Sequence, residues 1–149
     1  MEKIITIYKE LVYEAVDRRS AYVGKNLLNE EGNSLYKQVS TTNSDRDLLD
    51  TFFQEAISNL TSSLKSVLNS IYTQDGITTI SLNLSQDFNE GLSETISNDL
   101  ISYLSLNILA KWFSITAPNL SVQYAESSSV YLNTILQQLF YKQPPKKNR

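Results

Sequence analysis

Apolar residues recur along most of the chain at steps of three and four, the spacing that places them on one side of an α-helix. The segments that follow this pattern are Ile4 to Leu28, Leu49 to Ile71, Leu92 to Phe113 and Val122 to Phe140. The second segment traces one stripe over about six turns. The third is apolar nearly all round in its second half, so we expect it to lie at the centre of the fold. The pattern therefore predicts four long helices.

Turn and capping residues separate the predicted helices. Glu31-Gly32-Asn33 is expected to end the first, since Gly accepts the left-handed conformation at a helix end. Ser44, with a carboxylate three residues on, resembles a variant capping box at the start of the second. Gln74-Asp75-Gly76 is expected to end that helix as a turn. Pro118 interrupts the pattern before the last helix, with Asn119 as its N-cap.

The period changes between Ile77 and Leu84. Apolar Ile80, Leu82 and Leu84 alternate there with hydroxyl and amide side chains, which predicts a half-buried strand. A lone strand leaves backbone groups unpaired, so it needs a partner, either Leu35 to Thr41 of the same chain or a strand from a neighbouring molecule. We expect a mainly α fold, a four-helix bundle-like domain with one short β strand or hairpin between helices two and three.

Length and hydropathy favour one soluble domain. The 149 residues suit a single helical domain at residues 1–141, followed by a basic, Pro-containing tail at residues 142–149. The first residues do not have the pattern of a signal peptide. The longest apolar stretch, Leu100 to Phe113, is interrupted by polar residues and is shorter than the ~18 residues of a membrane span. We expect no membrane partner.

Composition excludes most catalytic chemistry. The chain has no Cys and no His, which removes thiolate nucleophiles, imidazole bases and nearly all zinc or haem ligation. Asp45, Asp47 and Asp50 resemble spaced cation ligands, but the Gly and Glu of a calcium loop are missing, so capping is the preferred interpretation. We expect no catalytic residue, no cofactor and no metal; an enzyme that uses carboxylates and Ser alone is a remote alternative.

Charged residues are distributed unevenly, with an acidic body followed by a basic C-terminal tail. The formal net charge of -3 disfavours non-specific attraction to DNA phosphates. Four of the thirteen basic residues fall in the last eight positions, around Pro144-Pro145, which holds the chain extended. The tail either docks onto an acidic partner or a nucleic-acid backbone, or it is a solvated helix end whose cations suit the helix dipole.

Aromatic residues of the C-terminal half have two interpretations. Trp112, with Tyr131, Phe140 and Tyr141, could form an exposed recognition surface. Trp112 continues the apolar stripe of helix three, however, so we predict that it packs in the core.

The predicted order of elements resembles that of the head-tail connector, or adaptor, proteins of tailed bacteriophages. This order is two long helices, a short β element, two more helices and a basic tail. More locally, three segments look like the C-terminal half of small virion proteins in phages and prophages of gut Bacteroidales. These segments are Leu104 to Phe113, the spacer Ser114 to Asn119 and the ending Leu139-Phe140-Tyr141-Lys142-Gln143-Pro144-Pro145. The resemblance covers most of the chain and includes no catalytic signature.

The resemblance implies a structural, non-enzymatic function in the virion. Copies of the chain, made in the cytoplasm of the bacterial host, would form a homo-oligomeric ring that links portal and capsid to tail or neck proteins around the DNA channel, without sequence-specific nucleic-acid binding. In that family the β element and the terminal segments contact neighbours. The candidate partner-binding residues are therefore Ile77, Thr79, Ser81, Asn83, Lys142, Pro144, Pro145, Lys146, Lys147 and Arg149.

An alternative function is that of a small all-helical regulatory or adaptor protein that binds a single protein partner. One helix of that partner would lie in a groove lined by helix three. This alternative predicts a stable monomer or dimer at all concentrations.

Overall fold

The computed structural model of the chain describes residues 1–140, so the predicted tail at residues 142–149 lies outside the described residues. Residues 1–140 form four long α-helices, one single-turn α-helix, two short 3-10 helices (Asn43–Asp45 and Glu90–Leu92) and a three-stranded antiparallel sheet. In chain order the elements are β1 (Glu2–Tyr8), α1 (Lys9–Asn26), α2 (Tyr36–Val39), α3 (Arg46–Ser63), β2 (Leu68–Gln74), β3 (Ile77–Asn83), α4 (Ser93–Thr116) and α5 (Pro118–Leu139). The mainly α prediction is confirmed, but the sheet means that the fold is not a clean four-helix bundle.

The central element is α4, as its sequence predicts. Ten of its residues are buried, and it packs against α5, α1, α3 and β1. Trp112 is 6% exposed, and its indole Nε1 donates to the Val39 carbonyl at 2.6 Å, which confirms its predicted place in the core. The helix that follows begins at Pro118 rather than after Asn119, because Pro at the first helical position has a suitable φ and sacrifices no hydrogen bond.

The first residues form a strand, so the prediction that helix one begins at Ile4 is wrong. Ile5 and Ile7 are 4% and 1% exposed, whereas Ile4 and Tyr8 are more than half exposed. This alternation has the period of a strand, and the β-branched Ile-Ile-Thr-Ile run suits it. Pairing with β3, whose residues lie 69 to 81 positions further along the chain, decides the conformation.

The prediction of a helix as far as Ile71 is also wrong, since α3 ends at Ser63 and β2 follows it. Asp75 and Gly76 have φ values of 54° and 76°, the positive angles of the two-residue hairpin turn that Asp-Gly favours. These residues join β2 to β3 instead of ending a helix. The β element between the second and third long helices is therefore a hairpin, the longer of the two forms that we expected.

The strand predicted at Ile77 to Leu84 is present as β3, but it is the central strand of the sheet. It pairs antiparallel with β1 on one side and with β2 on the other. The expected unpaired edge is therefore wrong, and so is the alternative partner Leu35 to Thr41, which contains the helical turn α2. Both true partners lie in segments to which the periodicity assigned helices.

Among the helices of residues 1–140, none has the combination of length and apolar character that crossing a membrane requires.

Candidate interaction surfaces

The predicted contact residues of β3 lie together on one face of the sheet. Ile77, Thr79, Ser81 and Asn83 alternate with buried residues, so they share the side that points away from the core. Asn83 is exposed and Ile77 and Thr79 are half-buried, whereas Ser81 is only 8% exposed, with its hydroxyl donating to the Glu2 carboxylate at 3.1 Å. The structure thus brings this part of the predicted set together, although through side chains rather than through a free backbone edge.

The neighbouring strands extend this face with exposed apolar side chains. Ile4 and Tyr8 on β1 are 57% and 52% exposed, and Tyr72 on β2 is 55% exposed. The strand register places Ile4 beside Ser81 and Tyr72 beside Thr79. Residues 1–140 therefore leave this side of the sheet open, and we call it the outer sheet face.

The outer edge of β1 is regular and free within residues 1–140. Met1 and Leu84 exchange two backbone hydrogen bonds, of 3.0 and 2.8 Å, and hydrogen-bonded pairs alternate along an antiparallel ladder. The alternation directs the N–H and C=O groups of Ile4 and Thr6 away from β3. The outer edge of β2, by contrast, has a register shift near Ser70, an irregularity of the kind that discourages further pairing.

The remaining predicted contact residues belong to the tail. These residues, which lie outside the described part of the chain, are Lys142, Pro144, Pro145, Lys146, Lys147 and Arg149.

A charged cluster joins α1 to the start of α3. The Arg46 guanidinium donates to both carboxylate oxygens of Asp17, at 3.0 and 2.5 Å, and the Thr41 hydroxyl donates to the same carboxylate at 2.5 Å. Partial burial would raise the pKa of Asp17, but the hydrogen bonds from Arg46 and Thr41 and the Arg46 charge outweigh it and lower that pKa. At the same helix start, the Asp45 carboxylate accepts from the Thr42 backbone N–H at 2.8 Å, so capping occurs two residues before the predicted Ser44.

The same cluster continues through Tyr13, whose hydroxyl donates to the Asp50 carboxylate. Lys9 forms an ion pair with Asp50 at 2.7 Å. Burial, and then the hydrogen bond to Asp50 and its negative charge, raise the pKa of Tyr13 far above its ordinary value. Partial burial would raise the pKa of Asp50, but hydrogen bonds from Lys9 and Tyr13 outweigh it and lower that pKa. The cluster thus holds a neutral phenol and ionised carboxylates at neutral pH, an arrangement that stabilises the fold.

The part of the chain that the structure describes contains no candidate metal-binding cluster. Within residues 1–140, no group of three or more His, Cys, Asp or Glu side chains is arranged to hold an ion. Asp45, Asp47 and Asp50 in particular do not form such a group, and two of them have the capping and ion-pair contacts given above.

A groove of about 740 Å³ lies between α1, α4 and α5. Leu106 of α4 is half-buried and supplies apolar surface, whereas Leu109 is only 1% exposed and belongs to the core; Arg18 and the exposed Tyr22 of α1 line the groove from the other side. None of its lining residues is Asp or Glu. The groove is lined by the helix that the adaptor alternative named, the third long helix.

One wall of this groove is fixed by an arginine and a tyrosine. Arg19 Nε donates to the Tyr124 hydroxyl at 2.9 Å, and its guanidinium lies 5.6 Å from the centre of the same ring. Tyr124 also packs edge-on against the core residue Phe113, with ring centres 4.8 Å apart. The wall is therefore anchored to the core rather than formed by free surface side chains.

No family model, curated protein or solved structure matches the chain. Its function is therefore argued from its own surfaces.

Sequence reasoning located the outer face of β3 and anticipated a groove beside helix three. It missed β1 and β2, although the alternation of Ile, Thr and Tyr from Ile4 to Tyr8 was a usable signal. It also passed over Arg18 and Arg19, because adjacent basic residues on a helix are ordinary and only the packing of α4 and α5 places both beside one groove.

Proposed function

We propose that the chain is a structural, non-enzymatic protein that assembles with copies of itself into a ring. In the virion the ring would link portal and capsid to tail or neck proteins around the DNA channel, like the connectors that the sequence resembles. The observation that carries the proposal is the open sheet: a regular free edge on β1 adjoins the outer sheet face with its exposed Ile4, Tyr8 and Tyr72.

A free strand edge favours contact with another chain. Since the outward N–H and C=O groups of Ile4 and Thr6 have no strand beside them within residues 1–140, a neighbouring strand or extended segment can pair with them. The exposed apolar side chains beside the edge add area that is removed from water in the same contact. Together they provide both hydrogen bonding and burial at one surface.

A closed ring needs a heterologous contact, in which two different surfaces of neighbouring copies meet. The tail supports such a second surface through its charge. It has four of the thirteen basic residues and no acidic one, so residues 1–141 have nine basic against sixteen acidic residues, a formal charge of -7. Attraction between the tail of one copy and the body of the next would favour the same head-to-tail direction at every contact. The acidic body also suits a DNA channel, because it binds phosphates weakly.

Self-assembly tests this function directly. Light scattering and electron microscopy of the full chain are expected to show rings at high protein concentration. Thr6→Pro is expected to remain a folded monomer, since Pro removes the outward N–H at an edge position where the strand tolerates it. Thr6→Val, which keeps that N–H, is the matched control and is expected to assemble.

The chain ending at Tyr141 is expected to remain a folded monomer that does not assemble. A full chain that is monomeric throughout the concentration range, with no ring on micrographs, would contradict the proposed function. Equal assembly of Thr6→Pro and Thr6→Val would show that the β1 edge is not the contact.

A second function, favoured by the groove between α1, α4 and α5, is that of an adaptor protein that binds one helix of a single protein partner. Apolar Leu106 and the exposed Tyr22 ring at a groove between helices are typical of surfaces that accept an amphipathic helix. This function predicts a stable monomer or dimer at all concentrations and a complex of one partner per chain, so the same light-scattering experiment, which detects a larger ring, separates the two functions.

A further inference from the structure

The adaptor function names only a partner helix as the ligand of the groove between α1, α4 and α5. The charge and shape of this groove also indicate the kind of helix. We propose that it binds an acidic amphipathic helix of a partner protein. Apolar side chains of that helix would contact Leu106 and the Tyr22 ring, and its carboxylates would pair with Arg18 and Arg19. The inference rests on the helix-binding groove of the adaptor function and does not depend on the oligomeric state of the chain.

Charge in the groove is opposite in sign to that of the rest of the body. Two of the lining residues are Arg and none is acidic, whereas residues 1–141 have a formal charge of -7. A basic groove in an acidic body attracts an acidic ligand to this place and repels it elsewhere, so electrostatics selects the site as well as the ligand.

Both arginines have donors left for a carboxylate. The Arg18 guanidinium lies 3.8 Å from Glu14, and the two side chains are 77% and 61% exposed, so this ion pair contributes little and is easily exchanged. Arg19 bonds to Tyr124 through Nε and makes no other hydrogen bond within residues 1–140. Its two terminal nitrogens can therefore meet a carboxylate, and the contact with Tyr124 holds them in place.

The walls of the groove favour a helix over an extended peptide. All three walls are helices, whose backbone N–H and C=O groups are already bonded along each helix. An extended peptide would find no backbone partners there and would lose those it has in water. A helix satisfies its backbone internally, so only its side chains need partners.

The length of the groove matches a short helical contact. On α4 the lining runs from Ser102 to Leu109, which corresponds to about 10 Å, or two helical turns. Two turns present two apolar side chains at positions i and i+4 on one face, and these can contact Leu106 and the Tyr22 ring.

Nucleic acid is the other ligand for which Arg and Tyr side chains are suited. A phosphate backbone would gain only the attraction of two arginines there, and the apolar surface of Leu106 would gain nothing from it. The observations therefore favour a protein helix.

Synthetic helices test the proposal on the full chain. A labelled peptide of roughly five turns, with Leu at i and i+4 and Glu on both flanks, is expected to bind in a fluorescence anisotropy titration at low salt. The same peptide with Lys in place of Glu, and the same peptide with Ser in place of Leu, are each expected to bind about tenfold more weakly or less. Amide chemical shifts are expected to change at the groove and not at the outer sheet face.

Two charge reversals locate the contact. Arg18→Glu is expected to weaken binding of the acidic peptide about tenfold, because an attraction becomes a repulsion. Lys65→Glu makes the same change of charge at an exposed residue outside the groove and is expected to leave binding unchanged. Far-ultraviolet circular dichroism of both variants checks that the fold is intact.

Several results would overturn the proposal. They are no binding of the acidic peptide at millimolar concentration, equal binding of the Lys and Glu peptides, equal effects of Arg18→Glu and Lys65→Glu, or tighter binding of a single-stranded oligonucleotide. Light scattering of the same samples keeps the proposals separate. If the chain forms a ring but does not bind the peptide, only this inference is overturned. If the chain is monomeric and binds the peptide, only the proposed ring is contradicted.

Discussion

Trp112 provides the most direct test of how the helical core is held together. It lies near the end of α4, is 6% exposed and donates through Nε1 to the Val39 carbonyl at 2.6 Å. Val39 is itself fully buried, at the end of α2. One side chain thus fills space in the core and also ties the loop region around α2 to the central helix. Trp112→Ala removes both contributions, whereas Trp112→Phe keeps most of the packing and removes the donor.

The two variants are expected to differ in cost. Truncation of a buried Trp to Ala costs about 3 to 5 kcal/mol, and a carbonyl left without its donor in the core adds about 1 kcal/mol or more. A domain of this size has a free energy of unfolding of about 5 to 15 kcal/mol, so Trp112→Ala is expected to leave a large unfolded fraction. Trp112→Phe is expected to cost about 1 to 2 kcal/mol, since it loses mainly the hydrogen bond.

Urea unfolding followed by far-ultraviolet circular dichroism measures both costs. Fluorescence is unsuitable for the comparison, because Trp112 is the only Trp in the chain. A Trp112→Ala variant that unfolds cooperatively within about 1 kcal/mol of the parent would refute the core position of this residue, since that cost is far below the cavity range. If Trp112→Phe were as costly as Trp112→Ala, the hydrogen bond rather than the packing would hold α2 in place.

Two further predictions follow from the contacts of α1. The folded-state pKa values of Asp17 and Asp50 are lowered, so their stabilisation is complete above their unfolded values of about 4 and is lost as the pH falls through the lowered values. As the pH falls below about 4, the urea concentration at the unfolding midpoint is expected to decrease, and to decrease less in Asp17→Asn. An equal dependence of the midpoint on pH in the two proteins would contradict this. Gly24→Ala would place a Cβ 2.9 Å from the Tyr36 Cα, so we expect it to cost about 1 to 3 kcal/mol by overpacking. An unchanged thermal midpoint of Gly24→Ala would show that α2 can move away freely.

The candidate surfaces were only partly predictable from the sequence. The alternation at Ile77, Thr79, Ser81 and Asn83 was enough to place these residues on one side of a strand, and the structure has them there. The free edge, however, is on β1 and not on β3, because strand order depends on which distant segments pair. A groove beside α4 could be anticipated from its apolar surface, but the presence of Arg18 and Arg19 beside it depends on how α1 packs.

By itself, the sequence determined the features that depend on neighbours within about one helical turn. Periodicity along α4 and α5 identified both helices and the core position of Trp112, because side chains three and four apart share a face. Only the tertiary structure decided that the segments around Ile5 and Ile71 are strands, since each gains its hydrogen bonds from β3 and not from adjacent residues. Local patterns in these segments suit helix and strand alike, and the free energy of a long-range pairing selects between them.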